Sequence, residues 1–290
     1  MMMPDSPITE AQYLREFYDA FAPFYNDFYD LIDYPAWAGL IQRALDELLP
    51  PPRRILEAGC GTGAMLAEIA TVPRQTCVGV DLSRPMLDIC AKKSFVNPRP
   101  GLAQGNLLAL GFQEESFDAV LGVFSLLNLY GAAGRRRLLA EIRRVLRPNG
   151  VFLADFATVQ RYLELREAAG HGQETSHCEA AFKLHQSFPA AQEASSRTPA
   201  GSPATDEFVI DRTLSAGSRS ARHRMYFFTA AALAAELAQA GLEAIKTVPL
   251  VPDSSAPAAN RLMLIGRKPC NASTRTSSTN ASKSFASKRA

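Results

Sequence analysis

Two kinds of hydrophobic pattern alternate along the middle of the chain. Residues 55–58 and 77–80 are short, largely apolar runs, as in strands that are buried on both faces. Residues 64–70 predict a helix after the first run, and Ser83 can cap a second helix whose early position Pro85 tolerates. Apolar residues at helical spacing over 133–146 predict a crossover helix before a further parallel strand. The pattern therefore predicts an α/β fold.

The stretch between residues 161 and 228 departs from this alternation. Residues 182–188, 208–214 and 222–228 alternate enough to be strands. Residues 189–206 are rich in Ala, Ser, Pro and Thr, which predicts a mobile loop. We expect a small antiparallel β cap here, and its placement over the rest of the fold should create a substrate chamber.

The two ends of the chain have their own patterns. Residues 9–49 predict one or two helices with an aromatic stripe, which is typical of core packing. Thr229 can cap a helix through Gln239, Gly241 ends it, and residues 242–251 and 261–267 form a final strand pair. From Cys270 onward Ser, Thr, Asn, Ala and Lys dominate, so we expect disorder.

Composition narrows the possible functions. The 290 residues carry a net charge of +2, which argues against a broad nucleic-acid surface. The densest basic run, Arg135-Arg136-Arg137, is expected on the solvated face of its helix. The five cysteines include no C-x-x-C pair, so neither a metal site nor a disulfide framework is expected. No apolar stretch approaches a membrane span and the N-terminus lacks a secretion signal, so we expect a cytoplasmic protein.

Candidate chemistry is concentrated after the first two strands. Gly59, Gly61 and Gly63 lack a Cβ, so the backbone can turn sharply and lie against a ligand. Asp81 ends the second strand about twenty residues later, where a carboxylate can accept both hydroxyl protons of a ribose. Glu57 would repel a pyrophosphate but can accept hydrogen bonds from an ammonium group. These residues favour an amino-acid-bearing nucleoside over a nicotinamide dinucleotide.

At these residues the chain resembles the class I S-adenosylmethionine-dependent methyltransferases, whose first motif is E/D-x-G-x-G-x-G. The resemblance continues over residues 102–107, 117–125 and 146–156, which correspond to the third, fourth and fifth strands. It implies a Rossmann-like, seven-stranded, mostly parallel sheet with an antiparallel final strand, and a β cap inserted after the fifth strand. Two departures, Asn106 for the usual Asp and Asn149 for a Gly, should preserve adenine contact and the turn.

The resemblance also implies the domains and the site. We expect a helical cover at 1–50, a cofactor-binding core at 51–160, the cap at 161–228, the rest of the core at 229–268 and a disordered tail at 269–290. The segment beginning at Tyr18-Asp19 is similar to one that folds over the cofactor in small-molecule methyltransferases. The residues expected to bind S-adenosylmethionine are Tyr18, Tyr25, Trp37, Glu57, Gly59, Gly61, Gly63, Asp81, Leu82, Met86, Asn106, Leu107 and Phe124.

Two residues are candidates for a catalytic role. An imidazole can take a proton near neutral pH, and the resemblance places His223 in an E-x-H-like cap strand, although Ala221 replaces the Glu. Asp155, at the end of the fifth strand, is the second candidate. A His that is merely packed on the cap strand and a carboxylate that caps a neighbouring helix are the structural alternatives. Methyl transfer needs close approach and alignment, so a dedicated base is optional.

These observations support one leading function and two alternatives. The leading hypothesis is a methyltransferase acting on oxygen or nitrogen of a small, partly apolar metabolite, as a monomer or homodimer, with no nucleic-acid or membrane partner. An RNA- or protein-modifying methyltransferase would share the core but should show a basic channel or a further recognition domain. A non-catalytic, cofactor-binding partner subunit would keep Asp81 but lack a usable chamber.

Overall fold

A seven-stranded sheet forms the centre of the protein, in the order β3-β2-β1-β4-β5-β11-β10. Strands β1 to β5 are parallel, and β11 is antiparallel to both β5 and β10. Its strands are β1 (Arg54–Ala58), β2 (Thr76–Asp81), β3 (Gly101–Gln104), β4 (Phe117–Gly122), β5 (Leu146–Ala157), β10 (Glu243–Pro249) and β11 (Arg261–Arg267). The expected α/β class and sheet are confirmed.

The computed structural model describes residues 9–48, 50–73, 75–96, 99–169, 174–178, 183–188, 207–216, 219–250 and 260–270. The loop predicted at 189–206 and residues 271–290 of the predicted tail lie outside the described residues. Within the described ranges, no helix has the length and apolar character needed to cross a membrane.

Helices cover both faces of the sheet because residues alternate between the faces along each strand. Ile55 packs with α3 and α4 on one face, whereas its neighbour Leu56 joins the cluster of α6 and α8 on the other. The helices are α1 (Glu10–Phe21), α2 (Tyr25–Phe28), α3 (Tyr34–Asp46), α4 (Ala64–Ile69), α5 (Arg84–Cys90), α6 (Ala132–Val145), α7 (Val159–Ala168) and α8 (Ala230–Gln239). The strand order reverses between β1 and β4, which is where doubly wound folds bind ligands.

The N-terminal segment breaks into more pieces than the predicted one or two helices. A short 3-10 helix (Ala22–Phe24) separates α1 from α2, and α3 begins separately after its N-cap, Asp33. Pro23 and Pro35 lack a backbone N–H, so each favours the start of a new helical segment over the continuation of an old one. The chain can therefore bend around the carboxyl edge of the sheet.

The cap is a four-stranded antiparallel sheet in the order β6-β7-β8-β9. Its strands are β6 (Glu174–Cys178), β7 (Lys183–Ser187), β8 (Phe208–Ala216) and β9 (Arg219–Phe227). The last three were predicted, but β6 was not. Helix α7 was also missed, because its only fully buried side chain in the described part is Tyr162, which leaves little helical periodicity to detect.

Arg135 contradicts the expectation of a solvated basic run. Its side chain is completely buried, while Arg136 and Arg137 are exposed. Nε and Nη2 each donate to a carboxylate oxygen of Glu236 at 2.8 Å, and Nη1 donates to Glu207 at 2.6 Å. The guanidinium also lies 4.1 Å from the ring centroid of Phe228. Burial is tolerated because every part of the cation has a partner, a feature that a run of arginines cannot reveal.

Asn128 joins the cap to the core. Its amide oxygen accepts the Ala157 N–H at 2.8 Å, and its nitrogen donates to the carbonyls of Ala157 at 2.9 Å and Tyr226 at 2.6 Å. Ala157 ends β5 and Tyr226 belongs to β9. One buried amide thus fixes the cap strand relative to the sheet.

Replacing Arg135 by Ala should destabilise the protein by about 3–5 kcal/mol, because Glu236 and Glu207 would lose their buried counter-charge. Urea denaturation measures the change. The matched control is Arg136→Ala on the exposed side of the same helix, which should stay within about 0.5 kcal/mol of wild type. Equal effects of the two substitutions would contradict the buried network.

Candidate active site

The glycine turn after β1 has the geometry that its sequence predicts. Gly59, Gly61 and Gly63 have φ values of 73°, 52° and 75°, all in the left-handed region. The N–H groups of Gly59 and Cys60 both donate to the carbonyl of Val80, at 2.8 and 3.1 Å. A Cβ on Gly63 would lie 2.2 Å from Cys90 Sγ, whereas one on Gly61 would meet nothing within 4 Å. Gly63 therefore serves packing, and Gly61 faces open space.

Asp81 ties this turn to the end of the neighbouring strand. One carboxylate oxygen accepts the N–H of Gly61 and the other accepts the N–H of Ser83, both at 2.8 Å. Burial raises the pKa of Asp81, and these backbone donors oppose the shift. Each oxygen keeps further acceptor capacity, so the carboxylate can still take two hydroxyl protons from a ligand.

Glu57 is buried at the end of β1, and one of its carboxyl oxygens is unsatisfied among the described residues. Its side chain is 2% exposed, and Oε2 has no hydrogen-bond partner. Burial is the main reason that its pKa is raised well above the usual range, and the nearby Cys90 and Asp81 add to the effect. An orphaned, buried carboxylate oxygen suits a cationic ligand group, because such a group would supply the missing partner.

These residues line one shared pocket. Tyr18 of α1 and Tyr25 of α2 line it opposite the glycine turn, and Thr62 donates to Asn26 Oδ1 at 2.7 Å, which ties α2 to the turn. Burial raises the pKa of both tyrosines. The predicted cofactor residues that line the pocket are Tyr18, Tyr25, Glu57, Gly59, Gly61, Asp81, Leu82, Leu107 and Phe124.

Four predicted cofactor residues lie outside the pocket wall, each for a local reason. Gly63 packs against Cys90, as described above. Trp37 packs on Phe124, with ring centroids 4.9 Å apart, and lines a cavity under the cap instead. Met86 is buried in the first turn of α5. The Asn106 side chain accepts the Leu108 N–H at 3.0 Å and so supports its own loop.

Asp155 positions the turn that carries Phe124. Phe124 and Ser125 have φ values of 57° and 63°, a strained conformation for non-glycine residues. The buried Asp155 carboxylate accepts both of their N–H groups and pairs with Arg261 at 3.0 Å. Its burial raises its pKa, and Arg261 opposes that shift. These contacts account for the carboxylate as a support for the turn, and it does not line the pocket.

His223 lies on the face of the cap that packs on α1. Its ring centroid is 4.0 Å from that of Phe17 and 5.9 Å from that of Tyr18, which lines the pocket. Burial, assisted by the charge of Arg212, lowers the pKa of His223 to about 3. The imidazole is therefore neutral at pH 7 and only weakly basic.

Sequence reasoning missed about half of the pocket wall. Tyr34 stands three residues before the predicted Trp37, and Thr62 and Met65 stand in or just after the glycine turn. A 3-10 helix (Leu126–Leu129) follows β4 and carries Leu126 and Leu129, and Tyr130 comes directly after it. No sequence pattern predicted this helix. The lining residues without a prediction are Leu14, Tyr34, Cys60, Thr62, Ala64, Met65, Ser83, Val123, Leu126, Leu129 and Tyr130.

The glycine turn lies in a stretch of the chain that is similar to a known protein family. Residues 55–150 match a family model described as a methyltransferase domain. Over these residues the chain is similar to methyltransferase domains. The match begins in β1 and includes both the glycine turn and Asp81.

Curated proteins that are similar to the chain are named for different methyl acceptors. The chain is 30% identical over 156 residues to a demethylmenaquinone methyltransferase of Symbiobacterium thermophilum, covering 52% of this chain and 61% of that protein. It is 29% identical over 148 residues to a tRNA (carboxymethyluridine(34)-5-O)-methyltransferase of Arabidopsis thaliana, covering 51% of this chain and 33% of that protein. The chain thus spans less than two thirds of either relative.

Similarity of fold to solved structures extends beyond residues 55–150. The CcbJ methyltransferase of Streptomyces caelestis aligns with a TM-score of 0.64 and 19% identity, covering 90% of this chain and all of that one. An S-adenosylmethionine-dependent methyltransferase of Clostridium acetobutylicum aligns with a TM-score of 0.63 and 16% identity, covering 87% and 99%. At these identities the likeness concerns the fold.

The different roles of Gly61 and Gly63 in the turn can be separated by substitution. Gly61→Ala should cost about 1–2 kcal/mol, because only its left-handed backbone is affected. Gly63→Ala should cost about 1–3 kcal/mol more, because the new Cβ also collides with Cys90. Urea denaturation of both variants checks the order, and a Gly61→Ala protein as unstable as Gly63→Ala would contradict it.

Proposed function

We propose that the protein binds S-adenosylmethionine in this pocket and transfers its methyl group to oxygen or nitrogen of a small, partly apolar acceptor. The observation that carries the proposal is the presence of Asp81, Glu57 and the open side of Gly61 on the walls of one pocket. The three features match a ribose, an ammonium group and a closely approaching ligand chain. They occur at the point where the strand order reverses.

The residues present fit this cofactor at each of its polar ends. Asp81 would accept hydrogen bonds from the ribose hydroxyls with the acceptor capacity that Gly61 and Ser83 leave free. Glu57 Oε2 would gain the cationic partner it lacks. Leu82 and Leu107 would offer apolar contact to the adenine. When bound, the cofactor would supply an electrophilic methyl group on a sulfonium.

The chain's own contribution to the reaction is mainly positioning. Tyr18 and Tyr25 stay protonated at neutral pH, since burial raises the pKa of each, so they can donate hydrogen bonds but cannot act as bases. His223 is a weak base, and Asp155 is engaged in holding the turn of Phe124. An acceptor that ionises easily, held in line with the methyl group, would need no strong protein base.

A small-molecule acceptor fits the surface better than a nucleic acid. The net charge is +2, and burial of Arg135 reduces the densest basic run to two exposed arginines. Binding a nucleic acid calls for a clustered basic face. We therefore place the acceptor between the core and the cap, and propose a cytoplasmic enzyme acting as a monomer or homodimer.

Calorimetric titration with S-adenosylmethionine and S-adenosylhomocysteine tests the proposal. Both should bind with a one-to-one stoichiometry. Absence of heat and of any thermal stabilisation, with a protein whose circular dichroism shows it folded, would contradict the proposed function.

Asp81→Ala should weaken S-adenosylhomocysteine binding by about 2–5 kcal/mol, the size of one or two charge-assisted hydrogen bonds. Asp88→Ala is the matched control, because Asp88 is an exposed carboxylate on the next helix and pairs only with Arg84 among the described residues. Melting curves of both variants separate lost binding from lost folding. A dissociation constant unchanged in Asp81→Ala would remove Asp81 from the site.

A further inference from the structure

Arg212 of β8 is a buried cation without a counter-charge. Its side chain belongs to a residue only 7% exposed, and Nε has no hydrogen-bond partner. Nη1 donates to Met225 Sδ at 3.3 Å, a weak acceptor. No carboxylate of the described residues pairs with it. This differs sharply from the buried Arg135, which is held by two glutamates.

The nearest acidic residue along the strand cannot supply the missing partner. Asp211 is adjacent to Arg212, so its side chain points to the opposite face of the cap sheet. There both of its oxygens are taken by Arg224, at 2.6 and 2.9 Å. An unpaired buried charge is costly, so a residue of this kind is expected where a ligand completes the pair.

His223 stands directly opposite Arg212 across the strand pair and shares its face. Its Nδ1 lies 3.2 Å from the carbonyl oxygen of Arg224. A carbonyl can only accept, so Nδ1 carries the proton and Nε2 is a bare acceptor. Nε2 is buried and has no partner. Arg212 and His223 thus present one unused cationic donor and one unused acceptor side by side.

Each member of this pair contacts a residue that lines a cavity, the cofactor pocket for His223 and the cavity under the cap for Arg212. His223 stacks on Tyr18, which lines the cofactor pocket. Met225, the contact of Arg212, lines the cavity under the cap. Among the described residues, the wall of that cavity includes Arg161 and Arg261 and no carboxylate. Both of these arginines already have a counter-charge, Arg261 from Asp155 and Arg161 from Glu164, whereas Arg212 has none among the described residues.

We infer that the acceptor carries an ionised oxygen, a carboxylate or an acidic hydroxyl, that pairs with Arg212, and a neighbouring O–H or N–H that donates to His223 Nε2. This inference rests on the proposed function and names the class of acceptor for the same site. The ionised oxygen would accept from Arg212 Nε and the O–H or N–H would donate to His223 Nε2, so one acceptor molecule would satisfy both orphaned atoms. It would also place an easily ionised molecule beside a pocket whose tyrosines cannot act as bases.

The test uses the full chain saturated with S-adenosylhomocysteine, whose binding is measured first. Benzoate and 3-hydroxybenzoate are then titrated against their neutral amides. Each acid should bind more tightly than its amide by roughly tenfold or more, the size of one charge-assisted hydrogen bond. The hydroxyl of 3-hydroxybenzoate should add affinity over benzoate through His223.

Substitutions assign the preference to the proposed pair. Arg212→Gln should reduce the ratio between acid and amide to near one, and Arg212→Lys should keep part of it. Arg222→Gln is the matched control, because Arg222 is exposed on the partner strand, and should leave the ratio unchanged. Arg212→Met should melt no lower than wild type, since it removes an unpaired buried charge.

The outcomes are distinguishable. Equal or absent binding of acids and amides in protein that binds S-adenosylhomocysteine would overturn the inference and leave the proposed function intact. A preference for acids that survives in Arg212→Gln would overturn the role of Arg212. Failure to bind S-adenosylhomocysteine would instead count against the proposed function, and with it the acceptor site.

Discussion

The carboxylate of Asp81 holds together the loops that follow two neighbouring parallel strands. By accepting the N–H groups of Gly61 and Ser83, it fixes the glycine turn after β1 against the helix start after β2. Parallel strands end at the same edge of a sheet, so this single side chain can reach both loops. The open side of Gly61 and the floor formed by Glu57 depend on that arrangement.

The cap depends on a second set of buried polar contacts. Asn128 bonds the end of β5 and strand β9, and Arg135 connects α6 with Glu207 before β8 and Glu236 of α8. These contacts hold the Arg212 and His223 face of the cap against α1 and hence above the cofactor pocket. Satisfied buried groups thus fix the framework, whereas three of the unsatisfied ones, Glu57, Arg212 and His223, belong to the regions proposed for ligands.

Sequence reasoning worked where a residue's task is local. A left-handed turn demands glycine at 59, 61 and 63, and a strand end places Asp81 beside that turn, so both could be predicted. It failed where the task depends on distant partners. Arg135 resembles a solvated arginine until Glu236, about a hundred residues away, is brought beside it. The contacts of Asp155 with Arg261 and with the turn at 124–125 also join distant parts of the chain, and its catalytic role stays a prediction. Trp37 contacts Phe124 and Asn106 accepts the Leu108 N–H, and their roles toward the cofactor stay predictions.

A crystal structure of the protein with S-adenosylhomocysteine tests the central claim most directly. The account predicts ribose hydroxyls within about 3.2 Å of the Asp81 carboxylate and the amino group on the side of Glu57, with the ligand backbone lying against Gly61. Density for the nucleoside in the cap cavity, or a ribose that leaves Asp81 without contact, would contradict it.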